Sequence, residues 1–155
     1  MLYPLEDTLD EAADPSQVWH AAVRRAGRDV SIITYGGSLG KCLQAADTLS
    51  GDGIECEVID LRALRPLDTT TLINSVTKTH RALVVDEGWR TCSLAAEISA
   101  SIIEGAFYEL DAPVGRVCSE EVPLPYPKHL EDAALPNVER IANAVRGLVT
   151  AGARV

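Results

Sequence analysis

The sequence predicts an α/β domain in which a parallel sheet is covered by helices on both faces. Three observations predict it. Short β-rich runs alternate with helical patterns from residue 30 to about 149, and each parallel crossover needs a connecting helix. Ala82-Leu83-Val84-Val85 is apolar without alternation, as in a strand buried on both faces. Glycine and proline clusters punctuate the runs.

The elements follow in order. Residues 1–29 read as an extension or linker, acidic at Glu6, Asp7, Asp10, Glu11 and Asp14. Within it, Pro15-Ser16 offers a helix start, and Val18, Trp19, Ala22 and Val23 fit one apolar stripe over 16–26. The domain proper spans 30–150, followed by a tail at 151–155. Val30 to Tyr35 is a β-rich run ended by Gly36-Gly37. Ser38 can cap a helix over 38–50 with Leu39, Cys42, Leu43, Ala46 and Leu49 on one face, stopped by Gly51-Asp52-Gly53. Ile54 to Leu61 is the second strand. Asp68 caps a helix over 68–78, with Leu72, Ile73 and Val76 inward. Ala82 to Val85 is the third strand, and a helix of small residues over 91–104 follows. Pro113 to Val117 is a further strand. Pro123, Pro125 and Pro127 make 122–128 extended and irregular. Val138, Ile141, Ala142, Val145 and Leu148 mark a last helix over 137–149.

Composition limits the function. The 155 residues suffice for one domain with a real core, and 46% are hydrophobic. A formal net charge of −9 argues against binding nucleic acid or an anionic membrane through a basic surface. Cys42, Cys56, Cys92 and Cys118 form no Cys-x-x-Cys pair, His20, His80 and His129 stand apart, and no zinc spacing results. The cysteines read as small core side chains. No basic n-region or apolar h-region opens the chain, and no apolar run approaches the roughly 20 residues of a membrane span, so a cytoplasmic location is expected.

Charged residues cluster where two buried strands end. Asp60, Arg62 and Arg65 follow the second strand, and Asp86, Glu87 and Trp89 follow the third. Carboxyl ends of parallel strands are where sites are built. The arginines suit anion binding or a subunit salt bridge, or else a solvated turn before Pro66. Asp86-Glu87 is either an acid–base pair or a structural pair accepting backbone amides or Arg62, and the second reading is favoured. Gly36-Gly37-Ser38-Leu39-Gly40 opens a helix but lacks the Gly-x-Gly-x-x-Gly spacing and a Walker lysine, so a tight turn is the better reading. Trp89, Tyr108, Leu124 and Tyr126 flank turns and suit an interface. No nucleophile–base pair is visible, which removes support for a hydrolase.

A family resemblance rests on several segments taken in order. They are Val30 to Gly36, Glu57-Val58-Ile59-Asp60-Leu61-Arg62-Ala63-Leu64-Arg65-Pro66-Leu67-Asp68, Asp86-Glu87-Gly88-Trp89, and Glu97-Ile98. Leu110 to Val117, Val122-Pro123-Leu124-Pro125-Tyr126 and Leu130 to Pro136 continue it. Together they resemble the carboxyl-terminal domain of the beta subunit of 2-oxo acid dehydrogenase decarboxylases, of the pyruvate, branched-chain or acetoin type. The resemblance implies a transketolase carboxyl-terminal-type fold: a three-layer α/β/α sandwich on a mostly parallel five-stranded sheet with one antiparallel strand. It implies a role in subunit assembly rather than catalysis by this chain alone.

The family's cofactor-binding domains have no counterpart in the sequence, so no cofactor is expected in this chain. Thiamine diphosphate and magnesium are expected in the full complex. The implied partners are the decarboxylase alpha subunit, a second beta subunit and the basic peripheral subunit-binding domain of the acyltransferase, within an oligomer. Asp60, Arg62, Arg65, Glu87 and Trp89 are the expected contact edge. The alternative is a regulatory module for small anions or nucleotides built on Gly36, Gly37, Ser38 and Arg62.

Overall fold

Five strands in the order β1-β3-β2-β4-β5 form the sheet. The strands are β1 (Ala22–Arg25), β2 (Val30–Thr34), β3 (Cys56–Asp60), β4 (Ala82–Trp89) and β5 (Gly115–Ser119). The helices are α1 (Ser38–Gly51), α2 (Thr69–Thr79), α3 (Leu94–Ala106), α4 (Lys128–Ala134) and α5 (Val138–Gly152). The computed structural model describes residues 14–152. The acidic stretch from Glu6 to Glu11, and the last residues of the tail, lie outside the described residues.

β2 pairs in parallel with β3 and β4, and β4 pairs in parallel with β5. β1 runs antiparallel to β3, with Ala22 opposite Asp60 and Val23 opposite Ile59. The expected helix over 16–26 is therefore corrected. A 3-10 turn occupies Pro15–Trp19, held by Asp14 Oδ1, which accepts from the Ser16 amide at 2.9 Å. The following residues extend along β3. An apolar spacing compatible with a helix yields here to long-range pairing with a strand edge that would otherwise be unsatisfied.

The helices cover both faces, which gives the three layers. α1 and α5 pack on the face carrying Val30, Ile32, Cys56, Val58, Leu83 and Val85. α2 and α3 pack on the other, with Ile33, Ile59, Leu61, Ala82 and Val84. Alternate residues of β2, β3 and β4 thus enter different cores, which is why apolar residues follow one another in these strands without strict alternation. Each fully buried Ile or Leu removes enough apolar surface to contribute about 1.5–3 kcal/mol.

Polar groups inside the α2 layer are satisfied. Ser31 Oγ lies 2.5 Å from Ser75 Oγ and 2.7 Å from Thr79 Oγ1, and Ser75 donates to Glu57 Oε1 at 2.6 Å. Lys78 closes the network by pairing with the buried Glu57.

Several elements differ from the sequence reading. β4 continues to Trp89, so Asp86 and Glu87 lie within the strand rather than after it. α3 begins at Leu94 rather than 91. A helix the sequence reading lacks, α4, starts directly after Pro127, where proline fits as an extended residue before the first helical turn.

Candidate interaction edge

The carboxyl ends of the four parallel strands share one edge. β2 lies between β3 and β4, so the winding direction switches there, and an open α/β sheet holds its ligand crevice at such a point. Here the protein's own polar groups bond to one another across the switch point. Thr34 Oγ1 donates to the Val85 carbonyl at 3.1 Å, and the Tyr35 hydroxyl donates to Asp86 Oδ1 at 2.6 Å. Burial, then the bond to Asp86, pushes the Tyr35 hydroxyl above its ordinary pKa.

Asp86 and Glu87 are neighbours on a strand, so their side chains leave on opposite faces. Asp86 is buried on the α3 side and accepts from the amides of Gly88 at 2.7 Å and Ala95 at 3.0 Å. The bond from Ala95 caps α3 from β4, in place of Ser93, which makes no cap bond. Glu87 leaves on the α1 side, where its Oε1 accepts from Ser38 Oγ and Lys41 Nζ, both at 3.2 Å. Its carbonyl accepts from Ser119 Oγ at 2.7 Å, which ties β5 to β4. The two carboxylates are structural acceptors with separate partners, and neither is bonded to Arg62.

Glu87 also settles the geometry of the glycine turn. A Cβ on Gly37 would stand 3.2 Å from Glu87 Oε1, so the amino terminus of α1 already faces a carboxylate. A phosphate placed there would meet like charge.

On the β3 side, Asp60 is only 8% exposed. Its Oδ2 accepts from Arg24 Nε at 3.2 Å and Nη2 at 3.0 Å, and its Oδ1 accepts from the Arg62 amide at 3.2 Å. Arg62 adopts a φ of +55° and donates from Nη1 to the Gln17 carbonyl at 3.1 Å. Asp60 and Arg62 thus fasten β1 and the turn before it, while Arg65 is exposed on the loop beyond. Asp68 does similar work. Its Oδ2 accepts from the Ala21 amide at 3.0 Å and its Oδ1 from the Thr71 amide at 3.1 Å. Burial pushes the Asp68 carboxyl up, but the bonds from Thr71 and Ala21 and the nearby His20 outweigh it and hold the pKa below the usual value.

The five expected contact residues lie along one edge in two groups. Asp60, Arg62 and Arg65 stand at β3; Glu87 and Trp89 stand at β4, about 10 Å away across β2 by the spacing of strands. Beside the second group is a cavity of about 270 Å³ lined by Glu87, Trp89, Glu120, Val122, Leu124 and Glu131. Trp89 is 50% exposed and Leu124 62%, and Tyr126 is fully exposed. An apolar surface interleaved with carboxylates results.

The sequence reading missed Tyr35, Ser38, Lys41 and Arg24 as the partners of these carboxylates. Consecutive acidic residues on a strand must leave on opposite faces, and that was a usable signal for two separate partner sets. Arg24 had no such signal, because its segment reads as a helix. Of the four cysteines, Cys42, Cys56 and Cys118 are buried as expected, and Cys92 is exposed, contrary to the core reading. Burial pushes the thiols of Cys42 and Cys56 up to about 12. Among the described residues, no three His, Cys, Asp or Glu side chains gather to hold a metal ion. No helix among them is long and apolar enough to cross a membrane.

Against known proteins, the family model described as the C-terminal domain of transketolase matches residues 20–141. The chain belongs to this family. As a transketolase C-terminal domain, it is 44% identical over 126 residues to the pyruvate dehydrogenase E1 component subunit beta, mitochondrial, of Dictyostelium discoideum. That match covers 81% of this chain and 35% of the relative. It is 42% identical to the acetoin:2,6-dichlorophenolindophenol oxidoreductase subunit beta of Cupriavidus necator, over 97% of this chain and 45% of the relative. The chain thus spans less than half the length of these relatives.

Among solved structures, a split gene transketolase, an inactive beta4 tetramer, superposes with a TM-score of 0.74 at 24% identity. The superposition covers 93% of this chain and 48% of that one. The shared fold is the three-layer sandwich with its single antiparallel strand, and that strand is β1.

Proposed function

We propose that this domain assembles subunits of a thiamine-diphosphate-dependent 2-oxo acid dehydrogenase decarboxylase, as the carboxyl-terminal part of its beta subunit. The chemistry itself lies in other domains. One observation carries the reading. The switch-point crevice is filled by Tyr35 with Asp86 and by Ser38 and Lys41 with Glu87, while the adjoining surface exposes Trp89, Leu124 and Tyr126. The polar groups at the switch point are bonded to one another, and the adjoining surface presents aromatic and aliphatic side chains of the kind that anchor a contact.

Thiamine diphosphate does not fit this edge. A diphosphate at the α1 amino terminus would meet Glu87, and the Asp86 and Glu87 carboxylates accept bonds from this chain's own groups. The cofactor and its metal belong to the complex. The partners we assign are the decarboxylase alpha subunit, a second beta subunit and the acyltransferase's basic peripheral subunit-binding domain. A basic partner suits Glu120 and Glu131 beside Trp89. The cytoplasm is the compartment this reading assigns.

Calorimetric titration of the chain with thiamine diphosphate and magnesium tests the reading. No saturable heat and no decarboxylation are expected, and saturable binding overturns the assignment. The anion-module alternative predicts a thermal shift with phosphates or nucleotides, and Glu87 at the α1 terminus argues against one.

A further inference from the structure

We propose that the cleft where the carboxyl end of β5 meets Arg90 and the start of α5 binds a phosphate group, free or on a small ester. Arg90, Arg116 and Arg140 line this cleft of about 330 Å³. The site goes beyond the assembly reading and does not depend on it. It uses none of the glycines at the start of α1.

The sheet edge sets the three guanidiniums. β5 is an edge strand, and Arg116 and Cys118 stand two residues apart on it, so their carbonyls point the same way. Arg90 Nη1 donates to the Arg116 carbonyl at 3.0 Å, and Arg140 Nη2 donates to the Cys118 carbonyl at 2.8 Å. These two guanidiniums are thereby spaced along β5 at the two-residue rise of roughly 7 Å, which one tetrahedral oxyanion can bridge with two of its oxygens. Arg116 Nη1 reaches back to the Arg90 carbonyl at 3.4 Å, which holds the third guanidinium against the same segment.

Charge makes the site one for an anion. Arg140 is paired with Glu120 at 3.1 Å. Arg90 and Arg116 make no ion pair among the described residues, although the chain carries 23 Asp and Glu against 14 Lys and Arg. Glu121 also lines the cleft, but its Oε1 is held by Thr91, accepting from the amide at 3.0 Å and the hydroxyl at 2.7 Å. Two cations are thus tied to each other's backbone without a counter-charge, and a shared dianion removes their repulsion. Each guanidinium has five N–H donors, and the bond between Arg90 and Arg116 spends one on each side. A phosphate offers more oxygens to these forks than a carboxylate does, and carries the second charge. The net charge of −9 acts from a distance, where salt screens it beyond about 8 Å.

Calorimetric titration of the full chain with inorganic phosphate, at ionic strength held constant with sodium chloride, tests this. One saturable site is expected, tightening with rising pH as phosphate becomes a dianion. Arg90→Gln and Arg116→Gln are each expected to weaken binding about tenfold or more. Glu121→Gln keeps an acceptor for Thr91 while removing a like charge, and is expected to tighten binding about threefold. Circular dichroism checks that each variant is folded. A second measurement needs no variant to bind: the guanidinium Nε–Hε resonances of Arg90, Arg116 and Arg140 should shift together in NMR spectra as phosphate is added. Tighter binding of glycerol phosphate assigns an ester and tighter binding of inorganic phosphate assigns the free ion, and either supports the site. No saturable binding, an affinity unmoved by the arginine substitutions, or none gained in Glu121→Gln overturns the proposal. So does a preference for succinate, which would assign the cleft to a dicarboxylate, or a response lost only in Arg62→Gln, which would place it elsewhere. The two readings fail separately. Thiamine diphosphate heat that survives Arg116→Gln overturns the assembly reading, and phosphate heat that survives it overturns this site.

Discussion

Asp86 shows how much one buried carboxylate can hold. It accepts from Tyr35, Gly88 and Ala95, which belong to the end of β2, to β4 and to α3. Removing it leaves three donors unsatisfied in a site 2% exposed. Asp86→Ala is expected to cost about 3 kcal/mol in urea unfolding, and Tyr35→Phe about 1 kcal/mol. Glu87→Ala, at a more exposed carboxylate, should cost less than about 1 kcal/mol. Alkaline pH gives a further test. The Cys42 and Cys56 thiols are raised from 9.0 to about 12 by burial. The folded state therefore keeps these protons while the unfolded state releases them. Stability is fully present below pH 9 and falls as pH rises toward 12. Cys42→Ala should flatten that slope in denaturation curves recorded at successive pH values. At this scale the charged residues were legible in the sequence, but their partners mostly were not, because partnership is set by which strands become neighbours.

At the scale of elements, β1 is the instructive case. Its residues carry a helical apolar spacing, and only the register with β3 makes them a strand. β2, β3, β4 and α1 were legible because local pattern and tertiary role agree in them. α4 was hidden by the prolines before it and by having too few apolar positions to show a period. β1 also depends on a glycine. A Cβ on Gly27 would lie 2.1 Å from the Cys56 carbonyl carbon, a backbone atom that cannot step aside. Gly27→Ala is expected to cost more than about 3 kcal/mol or to release the strand. Limited proteolysis would show it as new cleavage within 15–29. Asp68→Ala removes the α2 cap and the tie to Ala21 together, and should cost about 1–2 kcal/mol. Its carboxyl sits below the usual pKa, so its contribution is present above the unfolded value of 3.8 and is lost as pH falls through the lower folded one.

For the whole molecule, the fold and family were legible because the matching segments recur in order along the chain. The five expected residues fall along one edge of the sheet, in two groups rather than one set. Asp60 and Arg62 turn out to fasten β1, and the exposed anchors include Leu124 and Tyr126 beside Trp89. Trp89→Ala and Leu124→Asp should leave the urea midpoint within about 0.5 kcal/mol of wild type. If these side chains meet a partner subunit, the same substitutions weaken its capture at least tenfold, as surface plasmon resonance would measure, the usual effect of losing an anchor.

The antiparallel sense of β1 has a practical consequence. Its first residue stands opposite Asp60, so residues 14–21 enter the sheet at the carboxyl edge. α5 runs in the same sense as β1, from Arg140 beside the Cys118 carbonyl at the carboxyl edge to Leu148 against Gly115 at the opposite edge. The chain therefore enters on one side of the slab and leaves on the other. A label attached within residues 14–21 stands at the same carboxyl edge of the sheet as Trp89. One joined after α5 leaves that edge open to solvent, and binding experiments should use that orientation.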